Sequence, residues 1–392
     1  MRVLIVYKED YPWDVRVEKL AKSLVSRGHE VLIFCRNLDQ KPVFEYQDNI
    51  CIRRLPRTTK YPSFIRKLVN FPLWLNPLWA IGILKAMNKL QNNVIIVRDL
   101  PLVAPCLLCG WLHKVKVVFD MAECYPEMYE SARKFSNLSK MEKLIKSPFY
   151  ALIYEKISVV LVDHIFVMIE ESRDRLLRKG IPDNKVTIVS NTPSLRKRCA
   201  GNFNHTGGDL RIIYVGFLTA LRGLDLLVHS VKNFLDKNDT NSITVDIIGK
   251  GPEYFNLKRL VNILDIQENV KIHGWLAQND VDHLLRKANV GALTYRVCGH
   301  WNHTIPNKIF DYMLNGLPVI VTKVKPVARI VTNYQCGIVC PQNPQGIASG
   351  LNELIDPSLR NLYGHNGREA IFQSFNWVHE EKKLFKVVES LA

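Results

Sequence analysis

Asp120 and Glu123 stand directly after the apolar run Val115 to Phe119, which reads as a buried strand. Two carboxyls at the carboxyl end of a strand lie where α/β proteins keep their sites, and they could act as general acid or base or hold hydroxyls. A strand-end acid pair with no such role has the same letters. Arg222 precedes a helix predicted over Gly223 to Leu235, so a guanidinium and the unpaired N–H groups of a helix start can meet one phosphate. Lys308 opens another predicted helix, Lys308 to Asn315, with Pro306 fixing the approach and the Asn307 and Lys308 amides aimed the same way. A charge pair at about 4 Å and an effective dielectric near 20 is worth roughly 4 kcal/mol before desolvation, several times the 0.3–1 kcal/mol of a helix terminus alone. The cations, more than the helix starts, would therefore decide anion affinity. An exposed helix-start arginine and a solvated helix-face lysine are the bland alternatives.

Other patterns lead elsewhere. Cys106 and Cys109 form a C-x-x-C on an apolar helix, Leu102 to Leu112, with no second pair at zinc spacing, so they read as core thiols. Asp280 and Asp282 open a helix, where acids complement the dipole, and no metal is expected there. Gly249 and Gly251 sit at a strand-helix turn without the third glycine and ribose acid of a dinucleotide fingerprint, which weakens an NAD-linked oxidoreductase reading. No Ser/His/Asp or Cys/His constellation has recognisable spacing.

The elements that must position these residues follow from length and pattern. The 392 residues are 47% hydrophobic and 23% charged, which excludes disordered, collagen-like and small disulfide-stapled classes and suggests two domains. Nine cysteines in so long a chain read as reduced thiols, and no disulfide is expected. The longest nearly uncharged apolar stretch, Phe71 to Leu84, is 14 residues, short of the roughly 18 a membrane span needs. The apolar run Val3 to Tyr7 is too short for a signal-peptide core, so a cytoplasmic protein is expected.

Strand-like runs alternate with amphipathic helical patterns from Val3 to Val189, break over Asn191 to Asp209, and resume at Arg211. That order predicts an α/β fold of two doubly wound halves: 1–195, a linker at 196–210, 211–375, and a terminal helix at 376–392. The formal charge of +16 is uneven. Residues 1–200 hold 33 Lys+Arg against 20 Asp+Glu, hence +13, and the remainder hold 20 against 17, hence +3. Arg53, Arg54, Arg57, Lys60, Arg66 and Lys67 interleave with Tyr61 and Phe64 and run into Phe71, Trp74, Leu75, Leu78 and Trp79. Basic then aromatic-apolar predicts contact with an anionic membrane face. A basic surface before a core helix would read the same, and no nucleic-acid fold signature accompanies the charge.

From Arg211 onward six landmarks occur in order. They are Tyr214-Val215-Gly216, Arg222-Gly223-Leu224, Ile247-Ile248-Gly249-Lys250-Gly251-Pro252, Ile272-His273-Gly274-Trp275, Ile305-Pro306-Asn307-Lys308-Ile309-Phe310-Asp311-Tyr312-Met313 and Gly316-Leu317-Pro318-Val319-Ile320. Together they resemble the donor half of a GT-B glycosyltransferase of the retaining family-4 type. Asp14-Val15-Arg16-Val17, Arg27-Gly28-His29-Glu30-Val31, Asp120-Met121-Ala122-Glu123 and Phe375-Asn376-Trp377 resemble that family more loosely, and its last helix returns to the N-terminal domain.

The resemblance implies a nucleotide diphosphate sugar as donor substrate, with UDP and GDP left open, held without metal or other cofactor. Gly216, Arg222, Asn307 and Lys308 would bind the phosphates, Asp311 the ribose, and Trp275 with Leu276 the base. Asp120, Glu123 and His303 would be catalytic, while Arg16, Arg53, Arg54 and Arg57 would meet a glycan or lipid-linked acceptor or the membrane. The loop Gly299 to Thr304 looks like a sugar pocket. Three positions depart from the family: Phe217 where an Arg is usual, Ala122 for a His, and His303 for the first of two acids seven residues apart. They keep a catalytically inactive binding or partner subunit as the alternative to an enzyme of surface polysaccharide or glycolipid synthesis.

Overall fold

The structure, a computed structural model, describes residues 1–391 except 13, 72–75, 88–93, 196–206 and 239–242. Trp74, Leu75 and the basic Arg196-Lys197-Arg198 cluster lie outside the described residues, as does the Lys67 side chain. The chain divides into two compact units. The first holds Met1–Pro126, Ser147–Asn191 and the chain from Val378 onward, and the second holds Glu127–Lys146 and Thr192–Trp377.

Eight strands make the sheet of the first unit: β1 (Arg2–Tyr7), β2 (Glu30–Cys35), β3 (Phe44–Gln47), β4 (Ile50–Arg54), β5 (Val94–Arg98), β6 (Lys116–Met121), β7 (His164–Val167) and β8 (Val186–Ile188). Their order is β3-β4-β2-β1-β5-β6-β7-β8, parallel throughout except for β3 on β4. Val3, Leu4, Ile5 and Val6 of β1 are all fully buried, as an uninterrupted apolar run demands when helices cover both faces.

The second unit has β9 (Leu210–Val215), β10 (Ile243–Ile248), β11 (Val270–Gly274), β12 (Val290–Leu293), β13 (Val319–Thr322) and β14 (Gly337–Cys340). All are parallel, in the order β11-β10-β9-β12-β13-β14. In each sheet the order reverses beside the first strand, between β1 and β5 and between β9 and β12. Helices leave on opposite faces there, which opens a crevice at the carboxyl ends.

The last helix, Trp377–Ser390, joins the first unit from Val378 onward. Leu384 and Val388 are fully buried, Glu380 accepts the Ser190 amide at 2.9 Å, and Ser23 donates to Glu381 at 3.0 Å. Among the described residues no helix is long and apolar enough to cross a membrane.

The segment read as a basic surface is in part sheet. Ile50–Arg54 is a strand, and Arg54 is buried, bound to the Pro42 and Tyr11 carbonyls at 2.9 and 3.2 Å and to Glu45 at 2.7 Å. It is no surface cation. Trp79 is also core, edge-on to Phe34 with ring centroids 5.6 Å apart, because the helix Pro77–Met87 turns it inward with Ile83 and Met87.

Candidate functional site

In the second unit the turn after β9 is built against the turns that follow β10 and β12. A side chain on Gly249 would lie 1.8 Å from the Gly216 carbonyl, and one on Gly251 would lie 2.2 Å from that of Leu218. Gly223, at φ +61°, would put a Cβ 2.1 Å from the Thr294 carbonyl. Glycine is needed at Gly223 on both counts, left-handed backbone and close approach. Leu221 accepts the Arg296 amide at 3.0 Å and the Trp301 indole N–H at 3.1 Å, and the Thr294 hydroxyl donates to the Gly223 carbonyl at 3.0 Å. The loop 220–223 is thereby sewn to the end of β12.

That stitching places the Arg222 guanidinium between two rings, 4.7 Å from the Tyr295 centroid and 4.5 Å from that of Trp301, with a further hydrogen bond to the Tyr295 hydroxyl. Cation–π contacts of this kind are worth about 0.5–2 kcal/mol each. They also fix a long side chain whose free rotamers would cost about 2 kcal/mol to order on meeting an anion. Arg222 ends a short turn, Ala220–Arg222, one residue before the helix Leu224–Leu235.

Gly216 follows β9, and its amide bonds the Ile248 carbonyl at 3.0 Å; the half-exposed Phe217 comes next. Lys308 opens the helix Lys308–Leu314, with Asn307 exposed just before it. Tyr312 on that helix accepts the Val215 amide at 3.0 Å, anchoring the helix one residue before Gly216. Lys308 and Asp311 pair with each other at 3.0 Å, both partly exposed, which a competing phosphate or ribose could exchange at little cost. Trp275 and Leu276 follow β11, the indole largely exposed.

His303 is partly exposed, 3.0 Å from the Gly299 carbonyl and 4.0 Å from a Glu127 carboxyl oxygen through its Nδ1. An acid thus stands near this position from elsewhere in the chain. The segment Gly299 to Thr304, read as a loop that looks like a sugar pocket, begins with a helical turn, Gly299–Asn302, whose His300 and Trp301 are buried. Burial and the Arg222 charge pull the His300 pKa down to about 4.

In the first unit, charged groups collect where the order reverses at β1 and β5. Asp120, at the carboxyl side of β6, is fully buried, and the Arg16 Nε lies 3.0 and 2.9 Å from its two oxygens while Arg16 Nη1 donates to the Val189 carbonyl at 2.7 Å. Arg98 adds Asp14 at 3.0 Å, Asp99 at 3.4 Å and Asp120 at 3.6 Å. Burial pushes the Asp14 carboxyl up, but the Arg98 charge and the Arg16 amide outweigh it and hold it below its ordinary value. Two expectations change. Arg16 and Asp120 saturate each other out of solvent's reach, so Arg16 meets neither acceptor nor membrane and Asp120 touches no substrate. Glu123 remains partly exposed at the strand end, Ala122 is buried, and Arg53 and Arg57 spend donors on the Lys85 and Lys41 carbonyls at 2.6 and 3.0 Å.

Residues 14–192 match the family described as glycosyl transferase 4-like domain, and residues 200–370 match glycosyl transferases group 1. An uncharacterised glycosyltransferase of Methanocaldococcus jannaschii is 20% identical over 96% of this chain and 94% of its own. The chain is a family-4-like GT-B glycosyltransferase. Solved structures carry the same fold. Sucrose-phosphate synthase of Thermosynechococcus elongatus superposes with a TM-score of 0.76 at 16% identity, over 100% of this chain and 99% of that one. Anabaena HepE in complex with UDP gives 0.71 at 14% identity, over 100% of both. The glycosyltransferase therefore belongs to enzymes that transfer sugar from a nucleotide sugar.

Sequence reading of this glycosyltransferase missed Tyr295. A tyrosine following a buried strand carries no mark of its own, and only the spacing of Thr294, Tyr295 and Trp301 in the folded unit gives it a cation to hold. Glu127 was missed too, since no spacing links it to His303.

Two outcomes are expected. Asp120→Ala should lower the stability of the first unit by about 3–5 kcal/mol, leaving Arg16 buried without its partner, while Glu123→Ala should stay within about 0.5 kcal/mol; denaturant titration of both variants measures this. His300 is neutral when folded, so the unfolded chain binds its proton first. Stability should therefore fall as pH drops from about 6.5 towards 4, by up to roughly 1.4 kcal/mol per pH unit. His300→Gln should remove that increment, read from melting curves of both proteins across this range.

Proposed function

We propose that this glycosyltransferase binds a nucleoside diphosphate sugar in the second unit at the carboxyl ends of β9 and β12. The observation that carries the reading is Arg222, held between Tyr295 and Trp301 beside the reversal of strand order. In this reading Arg222 and Lys308, with the amides of Gly216 and Asn307, take the diphosphate. Asp311 takes the ribose hydroxyls, releasing Lys308 as it does so, and Trp275 with Leu276 faces the base. The usual Arg after the strand glycine is Phe217 here, and Lys308 supplies the second positive charge instead. Two cations balance a diphosphate, so binding is expected to proceed without a divalent metal.

Glu123 is the carboxyl we assign to the reacting sugar or acceptor, with His303 and the nearby Glu127 on the donor side. Retention of the sugar's stereochemistry is proposed by likeness to the family. The acceptor is proposed to be a glycan or lipid-linked intermediate of surface polysaccharide or glycolipid synthesis, since the basic excess sits in residues 1–200. A catalytically inactive subunit stays as the second reading because Phe217, Ala122 and His303 stand at family positions.

Calorimetric titration with UDP and GDP in the presence of a chelator tests the donor site. Arg222→Ala and Lys308→Ala should each weaken binding by about 1–3 kcal/mol, the range for a lost charge-assisted hydrogen bond. Asp311→Asn should weaken nucleotides and spare inorganic pyrophosphate. Wild-type affinity in the first two variants would remove both cations from the site. A nucleotide-sugar hydrolysis screen separates the enzyme, which releases the nucleotide, from the inactive subunit, which only binds it.

A further inference from the structure

The helix Pro148–Leu161 of the first unit is amphipathic the wrong way round. Its inward face carries Ala151, Glu155, Ser158 and Val159, all buried. Its outward face carries Phe149, Tyr150, Ile153, Ile157, Val160 and Leu161, between 43% and 65% exposed. Positions 149, 153, 157 and 160 form one continuous stripe at helical spacing. The neighbouring helix Val103–His113 extends the same surface. Its Ala104 amide donates to the Tyr154 hydroxyl at 2.8 Å, joining the two helices, and its Leu108, Trp111 and Leu112 are more than half exposed, Trp111 at 77%. Soluble monomers rarely show so large an apolar surface unless something covers it.

The charges around this surface indicate what covers it. Lys114 and Lys156 are exposed on these two helices, and Lys185 donates to the Val160 carbonyl at 2.7 Å where the second helix ends. The carboxylates on and beside them are already engaged, Asp163 by Lys116 at 2.8 Å and the buried Glu155 by Arg175 and Lys179 at 2.7 and 2.9 Å. A second copy pairing through the same face would set lysine against lysine. An anionic leaflet instead complements the cations at its headgroups and accepts Trp111, Phe149 and the aliphatic stripe at the acyl boundary.

We propose that the outer faces of Val103–His113 and Pro148–Leu161 form the docking surface of this protein for an anionic lipid bilayer. The surface differs from the Arg53 to Trp79 stretch that the sequence suggested, where Arg54 and Trp79 are core. The proposal goes beyond the donor chemistry and does not depend on it. Docking lets the first unit meet an acceptor held in the membrane while the donor arrives from water.

Co-sedimentation of the full chain with phosphatidylglycerol and with phosphatidylcholine vesicles tests this. Strong pelleting is expected with phosphatidylglycerol alone, weakening as salt rises and the Debye length falls from about 8 Å at 0.15 M to about 3 Å at 1 M. The double variant Ile153→Asp with Ile157→Asp, at exposed positions, should lose at least tenfold in vesicle affinity, and Trp111→Ser should lose severalfold. Both should melt like wild type and bind nucleotide as wild type does, whatever that affinity proves to be. Arg53→Glu with Arg57→Glu should leave vesicle binding unchanged. Unaltered pelleting of both apolar-face variants would overturn the proposal. So would loss of a dimer, seen by light scattering, in the Ile153 and Ile157 variant with no change in vesicle binding, since the face would then belong to a second copy.

Discussion

One cation held between two aromatic rings organises the second unit's site. Arg222 lies over Tyr295 and Trp301 because the loop that carries it is tied to the end of β12, and that tie is possible only because Gly223 lets two backbones approach to a distance no side chain would allow. The aromatic faces compensate the guanidinium without neutralising its charge. Lys308 illustrates the contrast, since its charge is shared with the carboxylate of Asp311.

The first unit uses charge in the opposite way. Arg16, Arg98, Asp14, Asp99 and Asp120 bind each other where β1, β5 and β6 end, and the Arg16 and Asp120 side chains are completely excluded from solvent. Such a cluster contributes rigidity and sets the loops around it, but its members are spent on one another. Glu123, three residues beyond Asp120, stands past the end of the strand and is partly exposed. Two carboxyls that look equivalent in the chain thus differ in setting, one a fully buried clamp and one at a partly exposed strand end.

Much of this was legible in the sequence, because its strongest signals are local. Apolar runs such as Val3 to Tyr7 or Ile243 to Ile248 need no tertiary information to be read as buried strands, and the twelve-residue helix Leu224–Leu235 and the terminal helix were both anticipated within one or two residues. The short β3 and β4 were not, since Phe44–Gln47 is largely exposed and Ile50–Arg54 ends in two arginines that resemble surface. Burial of Arg16, Arg54 and Asp120 depends on partners up to 173 residues away in the chain, which spacing cannot reveal. The helix Pro148–Leu161 is a related case, not singled out from sequence: whether its apolar stripe faces core or solvent is decided only by which side packs.

The proposed donor site puts a nucleoside diphosphate against Arg222 at the ends of β9 and β12. The most direct measurement is a crystal structure of the protein with UDP or GDP bound. Diphosphate oxygens are expected within hydrogen-bond distance of the Arg222 guanidinium and the Lys308 amine, with the ribose hydroxyls on Asp311 and the Lys308–Asp311 pair separated. A nucleotide bound with its diphosphate away from Arg222, or held only in the first unit, would contradict it.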